Sequence, residues 1–208
     1  MGADQMIWEQ DLIEDIRTNT DFDDQDGGIP HPMGYTSWDI AKEFSTTNAA
    51  FLKEYFMHVK DHCTAILEIG VCRNEGHSST HVLLNNKNPD TVYVGIDLDD
   101  KSFLDNADKN VYTLKTSSSN VEENMAKFKE LGIEEFDFIF IDGWHSINQI
   151  LIDWEYTSML SDAGIVALHD VTTHPGPTAF IKALDKDKWN VEENLSPEDH
   201  GIGFAWRK

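Results

Sequence analysis

The chain is short of basic residues and of cysteine, and it has no long apolar run. Only 16 of its 208 residues are Lys or Arg, against 38 Asp or Glu, for a formal charge of −22. Binding a bare phosphate backbone needs Lys and Arg to displace counterions, so nucleic acid is not an expected partner. An anionic membrane surface is disfavoured on the same ground. No apolar stretch approaches the roughly 20 residues that a membrane-spanning helix needs. The two cysteines, Cys63 and Cys72, lie nine apart and form neither a CxxC nor a metal-like cluster, which is the usage of a reduced, cytoplasmic protein. The N-terminus lacks a basic stretch followed by an apolar one, so no secretory leader is expected. There is no internal repeat, and a hydrophobic fraction of 40% is too high for a disordered chain.

What is present is acid, unevenly spread. Residues 1–30 hold nine acids and one base, Arg17, and so carry −8 of the −22. Residues 1–36 read as an acidic extension, turn-rich from Asp26 to Gly34, with a short helix through 6–17. Tyr35 and Trp38 suit a lid or an acceptor pocket; a contact within a homo-oligomer is the other role open to the head. Residues 37–208 read as one domain, a length that buries a real core.

In that domain short apolar runs alternate with helical spacing. The strands expected are Ala65–Val71, Thr91–Asp97, Val111–Leu114, Phe136–Asp142 and Gly164–Asp170. Helices are expected over 47–60, 78–85, 120–131, through Ile147, Ile150, Leu151 and Trp154, and over 178–185. Asn120 and Glu123 resemble a capping box, and Gly132 is a good stop. Trp189–Val191 and Ile202–Trp206 read as two final strands. Near-continuous apolar strands separated by helices predict an α/β fold, a parallel sheet covered by helices on both faces. Ligands of such sheets sit at the carboxyl ends of the strands.

The polar residues at those ends are the candidates. Glu68 and Gly70 close the first strand, and Gly76 follows six residues later. Glycine admits a ligand against the backbone, and the next helix start can aim N–H groups at it. A GxGxxG fingerprint is absent. Asp97 ends the second strand, where a carboxylate can accept both hydroxyls of a ribose. Together these favour a nucleoside ligand. Asp142 ends the fourth strand and His145 follows over the same cleft; imidazole suits proton transfer near neutral pH. Asp170 ends the fifth strand, the fourth strand's neighbour in a simple winding. Two carboxylates that close repel unless something positive lies between them, and a divalent metal would serve. His169 is a possible third ligand, although Mg²⁺ prefers oxygen.

These segments together resemble the class I S-adenosylmethionine-dependent methyltransferases. The matching residues are Leu67-Glu68-Ile69-Gly70 with Gly76, Val94-Gly95-Ile96-Asp97, Phe138 to His145, and Gly164 to Asp170. The last two look most like small-molecule O-methyltransferases, among them the metal-dependent macrolide sugar enzymes and cephalosporin-hydroxylase-like proteins. The resemblance covers about residues 62–206. It implies a Rossmann-like, seven-stranded, mostly parallel sheet ending in an antiparallel hairpin. It implies that Glu68, Gly70, Gly76 and Asp97 hold the methionine and ribose of S-adenosyl-L-methionine, with Ser117 near the adenine. Asp142 and Asp170 would bind Mg²⁺ or another divalent metal, and His145 would be the general base. The acceptor would be a small hydroxylated molecule. Two departures from the family pattern are the missing middle glycine of the cofactor loop and His169, where metal-dependent relatives carry a carboxylate. A nicotinamide-dependent oxidoreductase and a noncatalytic nucleoside-binding module are the competing readings.

Overall fold

The computed structural model describes residues 49–71, 79–172, 174–195 and 200–208. The expectations for the acidic head, for Tyr35 and Trp38, for Cys72 and for Gly76 fall outside the described residues.

A helix over 49–59 (α1) precedes β1 (Ala65–Ile69). There follow α2 (Ser79–Asn86), β2 (Val92–Asp97), β3 (Val111–Lys115), α3 (Val121–Glu130) and β4 (Phe136–Ile141). The chain continues as α4 (Ile147–Asp153), β5 (Leu160–His169), α5 (Pro175–Ala183), β6 (Trp189–Asn194) and β7 (Ile202–Arg207). The seven strands form one sheet in the order β3-β2-β1-β4-β5-β7-β6. The first five pair in parallel, and β7 alone runs against its neighbours. The expected Rossmann-like sheet with its C-terminal antiparallel pair is therefore present.

The apolar runs are explained by burial on both faces. In β4, Ile139 and Ile141 enter a core with Phe128, Ile150, Trp154 and Phe180, from α3, α4, α5 and the turn after α4. Phe138 and Phe140 point the other way, to Leu52 and Phe56 of α1 and Leu83 of α2. All four β4 side chains are essentially inaccessible, each stabilising the fold by about 1.5–3 kcal/mol. Helices thus cover both faces, as the sequence predicts. Two local expectations change. Asn120 is the N-cap of α3, but its side chain makes no capping bond and donates to Thr116 Oγ1 at 3.3 Å. The last helix begins at Pro175, three residues early, because proline suits a first helical position whose N–H has no helical partner.

The strand order reverses between β1 and β4. The chain leaves these paired strands toward helices on opposite faces, α2 after β1 and α4 after β4, and open α/β sheets bind ligands in the crevice at such a reversal.

Candidate active site

Two groups of residues flank that crevice. On the β1–β2 side, Gly70 has φ of +86°, and a Cβ there would lie 2.0 Å from the Asp142 carbonyl oxygen. Only glycine turns the chain out of β1 so close to the end of β4. Gly70→Ala is expected to cost about 1–3 kcal/mol from the left-handed backbone alone, before the clash is counted. A denaturant melt checks this; wild-type stability would contradict it. Asp97 is pinned across the same edge. Its Oδ2 accepts from the Val71 N–H at 2.9 Å, its Oδ1 accepts from the Asp99 N–H at 2.7 Å, and Lys101 Nζ is 3.8 Å away. A carboxylate has about four lone-pair directions, so acceptor capacity remains for a ligand.

Glu68 lies behind this edge, not in it. It is 1% exposed, with Thr80 Oγ1 donating to its Oε1 at 2.9 Å and the Tyr93 hydroxyl donating to its Oε2. It thereby joins β1 to β2 and to the start of α2. Gly95 keeps room for this arrangement, since a Cβ there would meet Val71 at 2.5 Å and the Tyr93 hydroxyl at 3.1 Å. Burial pushes the Glu68 carboxyl up to about 8, against the lowering effect of its two hydrogen bonds. In the unfolded chain the same group ionises near 4.5. The folded state is therefore favoured below that pH and loses this contribution as pH rises to about 8. Glu68→Gln is expected to remove that component, so its melting temperature falls less than that of wild type across the window. Parallel pH profiles would contradict this.

On the β4–β5 side stand Asp142, His145, His169, Asp170 and His174. His145 lies just before α4, whose first turn is capped by the Ser146 hydroxyl accepting from the Gln149 N–H at 3.1 Å. Asp170 is the centre of the group, 5% exposed, with φ of +63°, a left-handed conformation that Asp tolerates better than most residues. His145 Nε2 is 2.7 Å from Asp170 Oδ2 and 3.8 Å from Asp142 Oδ1. His169 Nδ1 is 3.0 Å from Asp170 Oδ1 and 3.3 Å from Asp142 Oδ1. His174 Nδ1 is 3.5 Å from Asp170 Oδ2, and its ring centroid is 4.2 Å from that of His145. Burial opposes ionisation of Asp170, but His169 and His145 overcome it and hold the carboxyl well below its usual range. Asp142 is lowered too, by His169 against burial. Burial also opposes charge on the imidazoles, yet Asp142 and Asp170 raise His145 to about 9 and His169 well above 6.5.

The loop after β3 sits beside α4. Ser117 is half-buried, its carbonyl accepting from Asn124 Nδ2 at 2.9 Å and its hydroxyl from the Ser119 N–H at 3.2 Å. Gln149 Nε2 bridges Ser118 Oγ, at 3.1 Å, and Asp153 Oδ1, at 2.8 Å. The structure thus brings Asp142, His145, His169 and Asp170 together, and sets Gly70 and Asp97 on the facing edge. Sequence reasoning missed Tyr93 and Thr80 as partners of Glu68. His174 is not among the sequence candidates; its spacing of four from Asp170 was the available signal.

Residues 67–171 match the family model described as a methyltransferase domain. The chain belongs to this methyltransferase family. The matched residues include both strand-end groups from Glu68 to Asp170 and stop short of His174. No curated protein matches the chain. Solved structures resemble it at low identity. The MycE methyltransferase from the mycinamycin biosynthetic pathway, solved with Mg and SAH, superposes with a TM-score of 0.58 at 13% identity, over 81% of this chain and 53% of MycE. The chain thus spans about half the length of MycE. Apo CalS11, a TDP-rhamnose 3′-O-methyltransferase of calicheamicin biosynthesis, gives a TM-score of 0.56 at 15% identity, over 95% of this chain and 92% of that one. SAH-bound PaMTH1 of Podospora anserina gives 0.50 at 16%, over 96% and 87%. The fold is that of the S-adenosylmethionine-dependent methyltransferases. Among the described residues, no helix is long and apolar enough to cross a membrane.

Proposed function

We propose that this methyltransferase transfers the methyl group of S-adenosylmethionine to a hydroxyl of a small molecule such as a sugar or secondary metabolite. One observation carries this: Gly70 and Asp97 on one side of the strand-order reversal face Asp142, His145, His169 and Asp170 on the other. The first pair suits a nucleoside, and the second group suits removal of a proton from an acceptor. The chemistry named for CalS11 supports O-methylation.

Gly70 offers backbone without a side chain, Asp97 receives the ribose hydroxyls, and Ser117 lies toward the adenine. Methyl transfer is an in-line displacement with a good leaving group, so the protein's work is to position the acceptor and take its proton. His145 takes it through Nε2. In the bare protein that imidazole holds a proton up to about pH 9 because Asp142 and Asp170 face it. It yields the proton once further positive charge enters the site.

Asp142, His169 and Asp170 converge with ligand atoms within 4.8 Å of one another, so the donor set fits a dication. With two carboxylates and one imidazole it suits a hard or borderline ion such as Mg²⁺ or Mn²⁺. A metal held there supplies Lewis acidity that lowers the pKa of an acceptor hydroxyl. The test is incubation with methyl-labelled S-adenosylmethionine and a panel of nucleotide sugars, glycosylated polyketides and catechols, with each dication in turn. Label in a product heavier by one methylene supports the proposal; cofactor binding with no transfer to any hydroxyl in the panel counts against it.

A further inference from the structure

Asp170 divides the groups around it. Its Oδ1 faces His169 Nδ1 at 3.0 Å, on the Asp142 side. Its Oδ2 faces the other way, 2.7 Å from His145 Nε2 and 3.5 Å from His174 Nδ1. Two sets of metal-capable side chains result. One is Asp142, His169 and Asp170; the other is His145, Asp170 and His174. The resemblance to metal-dependent methyltransferases points to the first set. Nothing in the sequence assigned the second.

We propose that His145, His174 and Asp170 Oδ2 form a second cation site, one that takes Zn²⁺ or a similar transition dication and not Mg²⁺. The donors are two imidazole nitrogens and one carboxylate oxygen, with their ligand atoms within 4.8 Å of one another. This is the mixture that zinc accepts in three-ligand sites with an open position, whereas Mg²⁺ requires a shell of oxygens. The set is also sunk in the fold: Asp170 and His174 are each 5% exposed. His145 Nε2 is itself buried and has no hydrogen-bond partner, despite its short approach to Asp170. A nitrogen so placed near a carboxylate, but out of line with it, suits coordination to an ion between them. The backbone holds both rings in place. His174 stands at the N-cap position of α5, with the Thr178 hydroxyl donating to its carbonyl at 2.7 Å. Gly176 in the first turn lies so close that a Cβ would stand 2.1 Å from the His145 carbonyl oxygen.

The functional consequence rests on the assignment of His145 as the base. An imidazole nitrogen bound to a metal has no lone pair for an acceptor proton. Occupancy of this site therefore halts methyl transfer, and zinc is a reversible inhibitor of the same centre that a different dication assists through Asp142 and His169.

The full chain, stripped with chelator, is titrated with Co²⁺ followed by visible absorption and with Zn²⁺ followed by calorimetry, in excess Mg²⁺. Both ions are expected to bind, and Zn²⁺ to displace Co²⁺. His174→Ala should weaken zinc binding at least tenfold and make transfer at least tenfold more resistant to zinc. Zinc resistance is read for each variant as the ratio of its own transfer rates with and without zinc. His169→Ala should leave the zinc affinity of this site within about threefold. Zinc binding that survives His174→Ala, or that is lost only with His169→Ala, overturns the proposal, as does Co²⁺ or Zn²⁺ binding no tighter than Mg²⁺. The two assignments fail separately. If His145→Gln loses zinc but transfers methyl at the wild-type rate, the site stands, and both the base and the inhibition fall.

Discussion

Glutamine in place of His145 is expected to lower kcat by about 10²–10⁴, the range lost when a positioned general base is removed. Nε2 of this residue lies 2.7 Å from Asp170 and 3.8 Å from Asp142, so two carboxylates stabilise the imidazolium that forms when it accepts a proton. Glutamine keeps a polar side chain of similar reach but cannot accept that proton. The Gly70 and Asp97 edge is formed by other strands, so affinity for S-adenosylmethionine should change by less than about threefold. Calorimetry for binding and single-turnover label transfer for chemistry separate the two effects. Wild-type turnover would remove His145 from its role.

The second large effect is on stability. Asp170 faces His145, His169 and His174 while only 5% exposed. Asp170→Asn keeps the shape and tolerates the left-handed backbone, but removes the negative charge from among three imidazoles. Breaking a buried pair from one side typically costs about 3–5 kcal/mol. The sign with pH follows from the raised histidine. Asp142 and Asp170 together raise His145 against burial, and the share of stability that Asp170 supplies is fully present below about 6.5 and is lost as pH rises through about 9. The gap between wild type and Asp170→Asn should therefore be wide at about pH 6 and narrower at about pH 10. Denaturant melts of the chelated proteins at both values test it. A constant gap would show that the carboxylate acts by packing and hydrogen bonding alone.

Much of this was legible in the sequence, for a physical reason. A parallel strand covered on both faces must be apolar throughout, so an acid at its end stands out. Asp97, Asp142 and Asp170 were visible in this way, and the strand alternation put them on one edge. Glu68 was visible too, but its role was not. A buried tyrosine in a strand reads as another apolar residue, so nothing marked Tyr93 as the donor that turns the Glu68 carboxylate inward. His174 sits in a Pro-Gly-rich stretch, and its approach to Asp170 depends on the left-handed turn at Asp170, which a sequence does not display. The Asn120 capping box is not formed: Asn120 has ψ of 53°, away from the extended backbone of an N-cap, and its amide is turned to donate to Thr116.

Everything proposed for the acceptor side presupposes that the crevice between β1 and β4 binds S-adenosylmethionine. Calorimetric titration of the full chain with S-adenosylmethionine and, separately, with NAD tests it most directly. Saturable binding of the first, no binding of the second, and a loss of at least tenfold with Asp97→Ala are predicted. Binding of NAD, or binding of neither, would contradict it.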